Sequence, residues 1–339
     1  MPARTAEAAL IVGAGPIGLA CAISGSRRGF DPLVIDAGAI AESIVRYPIG
    51  MTFFTTPERL EIGGHPLVCA GAKATREEAL KYYRGVVRAE QLRVQTGVRL
   101  VRATSSAGAL ECTVDTRLGI DTLPVKRLVL ATGYFDHPNL LDVPGEDLPH
   151  VSHYFDEAHR ASGLDVVVIG GKNSAVEAAL QLFRAGARVT LVYRGPALPA
   201  SVKYWLRPDL ENRIKAGEIA VKFGASVVEI TDREVVLGGG VRVAADRVYA
   251  LTGFHPDFEL FRSVGIAFDE ATGRPRLNPE TLETNVPGVY LAGSVTAGRK
   301  ISEVFIENGR FDGEKIFGDQ EARVRADERY SAVNRPTGE

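Results

Sequence analysis

Three glycines, Gly13, Gly15 and Gly18, carry the first chemistry legible in the chain. In a G-x-G-x-x-G turn the first glycine permits a tight reversal, the second lets backbone approach a pyrophosphate, and the third lets a helix lie close on a strand. Pro16 and Ile17 complete the turn and open a helix, whose free N–H groups and positive dipole end suit phosphate. The next apolar run closes on Asp36, followed by Ala37, at the place where a carboxylate accepts ribose hydroxyls. A lone G-x-G-x-x-G is a weak signal. Between two apolar runs and with a terminal acid it points to dinucleotide binding.

The pattern begins again at Gly170-Gly171-Lys172-Asn173-Ser174-Ala175. An internal repeat of strand, glycine turn, helix and strand implies a second dinucleotide site. Lys172 stands at the middle-glycine position, so its side chain must turn away or set its ammonium on phosphate. Ala175 stands at the third position and still permits close helix packing. The acid expected after the second strand is replaced by Tyr193-Arg194. A guanidinium in place of a carboxylate favours a 2′-phosphate, so the second site is expected to take NADPH rather than NADH, with Lys203 as a further candidate contact.

Other chemistry is sparse. Cys21, Cys69 and Cys112 are far apart and form no C-x-x-C, which suits a reducing compartment and inert thiols. His150, His153 and His159 lie near one another without a cysteine or a completed carboxylate set, and no metal site is expected. With 339 residues, 45% hydrophobic and 24% charged, the chain is long enough for two domains with their own cores. A net charge of −2 gives no pull toward nucleic acid or an anionic membrane. No stretch reaches the roughly 18 to 20 continuous apolar residues of a membrane helix. The apolar N-terminal stretch is broken by the glycines and Pro16, so it reads as mature protein and not as a signal peptide, and a cytoplasmic location is expected.

Elements must position these groups. Residues 37–72 are irregular but too apolar for disorder, and are expected to fold over a ligand; Ser43, Tyr47, Thr52 and Phe53 are candidates to line a flavin. A helix is predicted over 75–90 with Thr75 as its cap. Strands are predicted over 92–101, 110–116 and 126–132, the last ending in Ala131-Thr132-Gly133, small residues that let backbone pass close to a ligand. After a connector over 138–149, the repeat predicts a strand over 165–169, a helix over 175–184 and a strand over 188–193. Strands over 221–231, 234–237 and 246–253 follow, the last ending in Leu251-Thr252-Gly253. A further strand ends at Gly293, next to Ser294, before a helix starting near Lys300 and Ile301 whose N-terminus would face a flavin ring. The charged residues that close the chain read as a tail.

Several segments carry a family resemblance: YPIGMTFFTTPERLEIGG from Tyr47, ATGYFDHPN from Ala131, VPGEDLPHVSHYF from Val143, VVVIGGKNSAVEAAL from Val166 and IENGRFDG from Ile306. Over nearly its whole length the chain resembles the thioredoxin-reductase-like FAD/NADPH flavoproteins, and within them the YpdA-type bacillithiol disulfide reductases. GGKNSA is the most specific of these matches. The resemblance implies an α/β fold of two Rossmann-like domains of the three-layer ββα type, with an NADPH domain (156–252) inserted in a split FAD domain (1–155 and 253–339). It also implies FAD and NADPH as cofactors, a homodimer, and reduction of a low-molecular-weight disulfide. Two departures bear on the acceptor: the C-x-x-C of thioredoxin reductases is missing, and Ile17 stands where bacillithiol-type members have a cysteine. Cys21, one helical turn on, is a candidate substitute, against the simpler reading of a packed helix cysteine. Ser294 stands where many relatives have an aspartate on the ribityl chain. A ferredoxin- or flavodoxin-type NADP reductase, which hands single electrons to a small carrier protein, and a redox sensor without turnover are the alternatives.

Overall fold

In a computed structural model, residues 6–106, 109–301 and 303–334 are described. In chain order the elements are β1 (Leu10–Val12), α1 (Pro16–Ser26), β2 (Leu33–Asp36), α2 (Glu42–Val45), α3 (Pro57–Leu60), α4 (Arg76–Ala89), β3 (Arg93–Thr96), β4 (Arg99–Ser106), β5 (Ala109–Thr116), β6 (Gly119–Val125) and β7 (Leu128–Leu130). Next come β8 (Val151–Ser152), β9 (Asp165–Ile169), α5 (Asn173–Arg184), β10 (Arg188–Tyr193), α6 (Arg207–Lys215), β11 (Ala220–Phe223), β12 (Val227–Ile230), β13 (Glu234–Leu237), β14 (Arg242–Ala244) and β15 (Arg247–Ala250). The chain ends with α7 (Phe258–Val264), β16 (Val289–Leu291), a 3-10 turn over Gly293–Ala297, α8 (Ile306–Gly309), α9 (Asp312–Phe317) and α10 (Gln320–Asn334).

The chain divides into two compact units. One comprises the chain up to Val45, Gly50–His137 and everything from Phe254; the other comprises Arg46–Ile49 and Pro138–Gly253. Each unit is built on the same plan. The first has a five-stranded parallel sheet in the order β16-β7-β1-β2-β3 and an antiparallel sheet β4-β5-β6; the second has β11-β10-β9-β15-β8 and β12-β13-β14. Strands covered on both faces read as continuous apolar runs, as β1, β7 and β9 do.

Alternation along β9 shows how three layers are made. Val166 and Val168 face a core shared with α5 and α6, whereas Val167 and Ile169 face one shared with β12–β14. In the first unit Leu10 and Val12 share a core with Val114 of β5 and Leu123 of β6. The expected α/β fold of two Rossmann-like ββα layers is the observed one. Thr75 caps α4 in a full capping box, accepting from Glu78 N while Glu78 accepts from Thr75 N at 2.8 Å.

Five local readings change. The strand predicted over 92–101 is two, β3 and β4, because Gly97 at φ +69° turns the chain; Gly224 at φ +63° splits 221–231 into β11 and β12 in the same way. No helix begins at Lys300: Gly298 has φ +59° and ψ −133°, and the next helix among the described residues, α8, begins at Ile306. The predicted tail is the helix α10, docked through buried Ala322 and Ala326, while residues 335–339 lie outside the described residues. The second unit begins at Pro138 rather than 156, because β8 pairs with β15 in its parallel sheet.

Candidate nucleotide sites

The first turn is built so that no side chain fits where two of its glycines stand. Gly13 has φ +109°, and a Cβ there would lie 2.3 Å from the Ala131 carbonyl oxygen. At Gly18 a Cβ would lie 1.9 Å from the Gly13 carbonyl oxygen, so α1 rests directly on the turn. Gly15, the N-cap of α1 with extended backbone, faces open space, with nothing within 4 Å of a Cβ built on it. Pro16 opens the helix where its missing N–H is not needed. Backbone at Gly15, the start of α1, is therefore open to close approach.

Asp36 closes the turn from β2. Its Oδ2 accepts from Ala14 N at 2.7 Å and its Oδ1 from Gly38 N at 2.8 Å, while Ala41 N donates to Ala14 O at 2.9 Å and ties the α2 segment down. Burial pushes the Asp36 carboxyl above the usual carboxylate range, against the pull of those two N–H groups. Ala37 is exposed, and Ser43 in α2 is half-buried. Just past β7, Thr132 presents a buried hydroxyl oxygen with no hydrogen-bond partner. A buried polar group without a partner is rare and marks a place where a ligand atom belongs. Open space at Gly15, a carboxylate at the end of β2 and the orphaned Thr132 hydroxyl together fit a dinucleotide.

Beyond β16, Gly293 sits at φ +78° and Ser294 is buried. Ile17 reaches across from the first turn: a Cβ on Gly293, and equally one on Gly309, would lie 2.7 Å from Ile17 Cδ1. The Ile17 position is thus filled by alkyl packing between two glycines. Phe53 is buried, its amide bonded to Ala74 O at 2.9 Å, and Thr52 is exposed and bridges to Thr75. Lys300 is exposed, with Glu303 at 3.8 Å, and Ile301 is half-buried. Tyr47 groups with the second unit, unlike the other expected flavin contacts.

In the second turn Gly170 has φ +145°, and a Cβ there would meet the Leu251 carbonyl oxygen at 2.5 Å. Lys172 is the N-cap of α5, extended and exposed, and its side chain is free to reach an anion. The Tyr193 ring lies over Gly171 and Gly195, 2.5 Å from a Cβ built on either, so Tyr193 floors the turn instead of leaving a vacant acid position. Asn173 accepts from Lys203 N at 2.9 Å and donates to Ser201 O at 3.4 Å, which fastens the 201–203 segment to the start of α5. Ser174, Arg194 and Lys203 are exposed, and Ala175 is buried. Thr252 donates to Asn139 O at 2.5 Å, and Gly253 O accepts from Asn139 N at 2.9 Å.

The three cysteines offer little to catalysis. Cys21 is fully buried in α1, and burial, followed by the nearby Asp312 carboxyl, holds its thiol well above the ordinary value. Cys112 lies in the β-sheet core, its thiol pushed up to about 12 by burial. Cys69 donates to Gly71 O at 3.1 Å in a surface loop. Nucleophilic sulfur is thiolate, so the surroundings of Cys21 oppose the catalytic role considered for it. Sequence reasoning missed Asp312, a buried carboxyl that accepts from Gly293 N at 2.6 Å. No local signal in the sequence marks it, because its partner Gly293 is remote along the chain.

Two glycine turns on two sheets of one plan, one closed by a carboxylate and the other by a tyrosine and a guanidinium, define a two-nucleotide redox protein. The chain belongs to the pyridine nucleotide-disulphide oxidoreductase family, whose profile matches residues 10–293. It is an oxidoreductase that uses FAD and NAD(P)H. Bacilliredoxin reductase Bdr of Bacillus subtilis (strain 168) is 45% identical over 314 residues, 91% of this chain and 96% of that protein. The solved structure of bacillithiol disulfide reductase Bdr (YpdA) from Bacillus cereus superposes with TM-score 0.91 at 42% identity, covering 95% of this chain and 100% of that one. A ferredoxin–NADP reductase of Ignicoccus hospitalis is 30% identical over 329 residues, 91% of this chain and 96% of that protein. The resemblance read from the sequence is the one found.

Proposed function

We propose that the chain is an FAD-dependent NADPH oxidoreductase that reduces a low-molecular-weight disulfide of the bacillithiol disulfide type. The observation that carries the cofactor assignment is the asymmetry of the two turns. Asp36 suits the bare ribose of FAD, whereas Arg194, Lys172 and Lys203 offer three cations and no acid to a 2′-phosphate. The acceptor rests on the full-length likeness to proteins named for bacilliredoxin and for bacillithiol disulfide.

When bound, the flavin would supply acceptance of a hydride from nicotinamide and its release as electrons. The chain's residues do the rest. Gly13, Gly15, Pro16 and Gly18 hold the pyrophosphate at the α1 N-terminus, and Asp36 with Ala37 holds the adenosine ribose. Ser43, Thr52, Phe53, Ala131, Thr132, Gly133, Gly293, Ser294, Lys300 and Ile301 flank the remainder of the flavin nucleotide. Gly170, Gly171, Asn173, Ser174, Ala175 and Tyr193 form the NADPH turn, bounded by Thr252 and Gly253. Ile17 keeps the first turn apolar and dry.

Ile17 also supports a second reading, transfer of single electrons to a ferredoxin- or flavodoxin-type carrier, which needs no protein thiol. Anaerobic mixing with NADPH tests the shared half: bleaching of the flavin is expected, and a flavin that stays oxidised removes both readings. Turnover of bacillithiol disulfide with idle ferredoxin and flavodoxin supports the first acceptor; the reverse transfers the assignment to the second. We further propose a cytoplasmic homodimer, which light scattering tests by its mass. No helix among the described residues is long and apolar enough to cross a membrane.

A further inference from the structure

The segment IENGRFDG has a resemblance but no assigned task, and its aspartate is the most deeply buried acid near the proposed flavin. Asp312 opens α9, where an acid is favoured by the helix dipole. Its Oδ2 accepts from Gly293 N at 2.6 Å. The helix has no freedom to draw back. A Cβ on Gly313 would lie 2.8 Å from Cys21 Cα and 2.8 Å from Ser24 Cβ, so α9 is seated against α1 with no room for a methyl group. From the same α1, Ile17 abuts Gly293. The turn at Gly293 is therefore held twice by the α1–α9 pair, and α1 is the helix that begins at the glycine turn.

We infer that Asp312 is a positioning residue for the flavin: through Gly293 it fixes the spacing between the Gly293 turn and the Gly13–Gly18 turn, and its charge acts on the bound flavin through the Gly293 amide. This rests on the placement of FAD proposed above. In that placement the two turns adjoin one another along the middle of one extended cofactor, so the hydrogen bond that ties the Gly293 turn to α9, itself seated on α1, sets their spacing. Burial raises the Asp312 carboxyl to about 7, opposed by the Gly293 N–H and by Lys315. The titratable groups around it are few. Cys21 faces it from α1; Lys315 and Glu314 lie on its own helix, paired with Asp327 of α10 and with Arg28 just past α1 respectively; residues 293–297 contribute none. An ionised Asp312 opposes added negative charge on a reduced flavin, and a neutral one does not. The flavin midpoint potential is thus expected to take an extra downward bend as pH rises through neutrality.

The test is the midpoint potential of the flavin-loaded protein across neutral pH, for wild type, Asp312→Asn and Asp312→Ala. Wild type is expected to show the bend near pH 7. Asp312→Asn, which keeps an acceptor for Gly293 N but cannot ionise, is expected to lose the bend and keep its flavin; Asp312→Ala is expected to lose flavin on purification. A wild-type curve without the bend, or an Asn variant that retains it, overturns the inference, and the wild-type curve decides even if neither variant folds. Purified wild type with no flavin absorption instead overturns the FAD placement, and the inference with it.

Discussion

The two glycine turns solve the same geometric problem with different residues, and the difference separates what the backbone requires from what the ligand requires. At the first position both turns need glycine: Gly13 and Gly170 have positive φ, and a Cβ at either would strike a carbonyl of the neighbouring strand end. At the second, Gly15 and Lys172 are both N-caps in extended backbone, a conformation open to any residue. Lysine is therefore no defect in the second turn, and the choice there concerns what approaches the helix. At the third, Gly18 admits no Cβ, whereas Ala175 carries one, 2.9 Å from a Cβ built on Gly170. The strand ends differ as well. The Thr132 hydroxyl is buried and unpaired, while Thr252 is satisfied by Asn139. The Thr132 hydroxyl of the first unit thus has no partner, whereas its counterpart in the second is bonded internally.

The third position should give the largest contrast. Gly18→Ala drives a methyl into the Gly13 carbonyl and is expected to cost about 3 kcal/mol of stability. Ala175→Gly removes a methyl from a helix start and should cost only about 1 kcal/mol. Denaturant unfolding of both variants measures the difference, and equal losses would mean that the two helices sit alike on their turns.

Next in size is Asp36. Asp36→Ala leaves Ala14 N and Gly38 N without their acceptor and removes the proposed ribose contact, a loss of about 2 kcal/mol. The flavin content of purified protein should fall, and the apparent KM for NADPH should not. A rise in KM with flavin retained would exchange the two sites.

Arg194→Ala sharpens the same contrast from the other side. Losing a charge-assisted hydrogen bond of about 1.5 to 3 kcal/mol should lower kcat/KM for NADPH by roughly 10- to 100-fold and leave NADH use unchanged. Lys172→Ala should fall short of that, because Lys172 is a point charge on a flexible stem rather than a planar fork. Equal losses with both nucleotides would place Arg194 away from the 2′-phosphate.

These contrasts also mark where the sequence was readable. Both strand–turn–helix–strand halves could be read because glycine spacing and apolar runs are local signals, and Thr75 with Glu78 announced α4 in the same way. The role of Tyr193 could not. Its covering of Gly171 and Gly195 is a contact across the turn, and by sequence alone Tyr193 is only a missing acid. The helix α10 was hidden because it docks through Ala322 and Ala326, whose small side chains give almost no apolar periodicity amid charged neighbours. Asp312 was hidden for a different reason. Its partner, Gly293, is remote in sequence, and an acid gives no local sign that it is buried.

The smallest effect concerns Cys21, and the repeat supplies its control. Counting from each first glycine, Cys21 in α1 falls where Ala178 stands in α5, and both are fully buried. Cys21→Ala therefore makes the first helix like the second at this position, at a cost of about 1 kcal/mol or less for a lost sulfur atom in a site closed by Gly313. The thiol is held protonated by burial and by the Asp312 charge, so thiolate at neutral pH is negligible and the turnover rate per bound flavin should not change. Stopped-flow reduction and disulfide turnover, each normalised to flavin content, check this. A fall in disulfide turnover with unchanged flavin reduction would require α1 to open and expose Cys21 during catalysis, and the first helix would then differ from the second in chemistry as well as in packing.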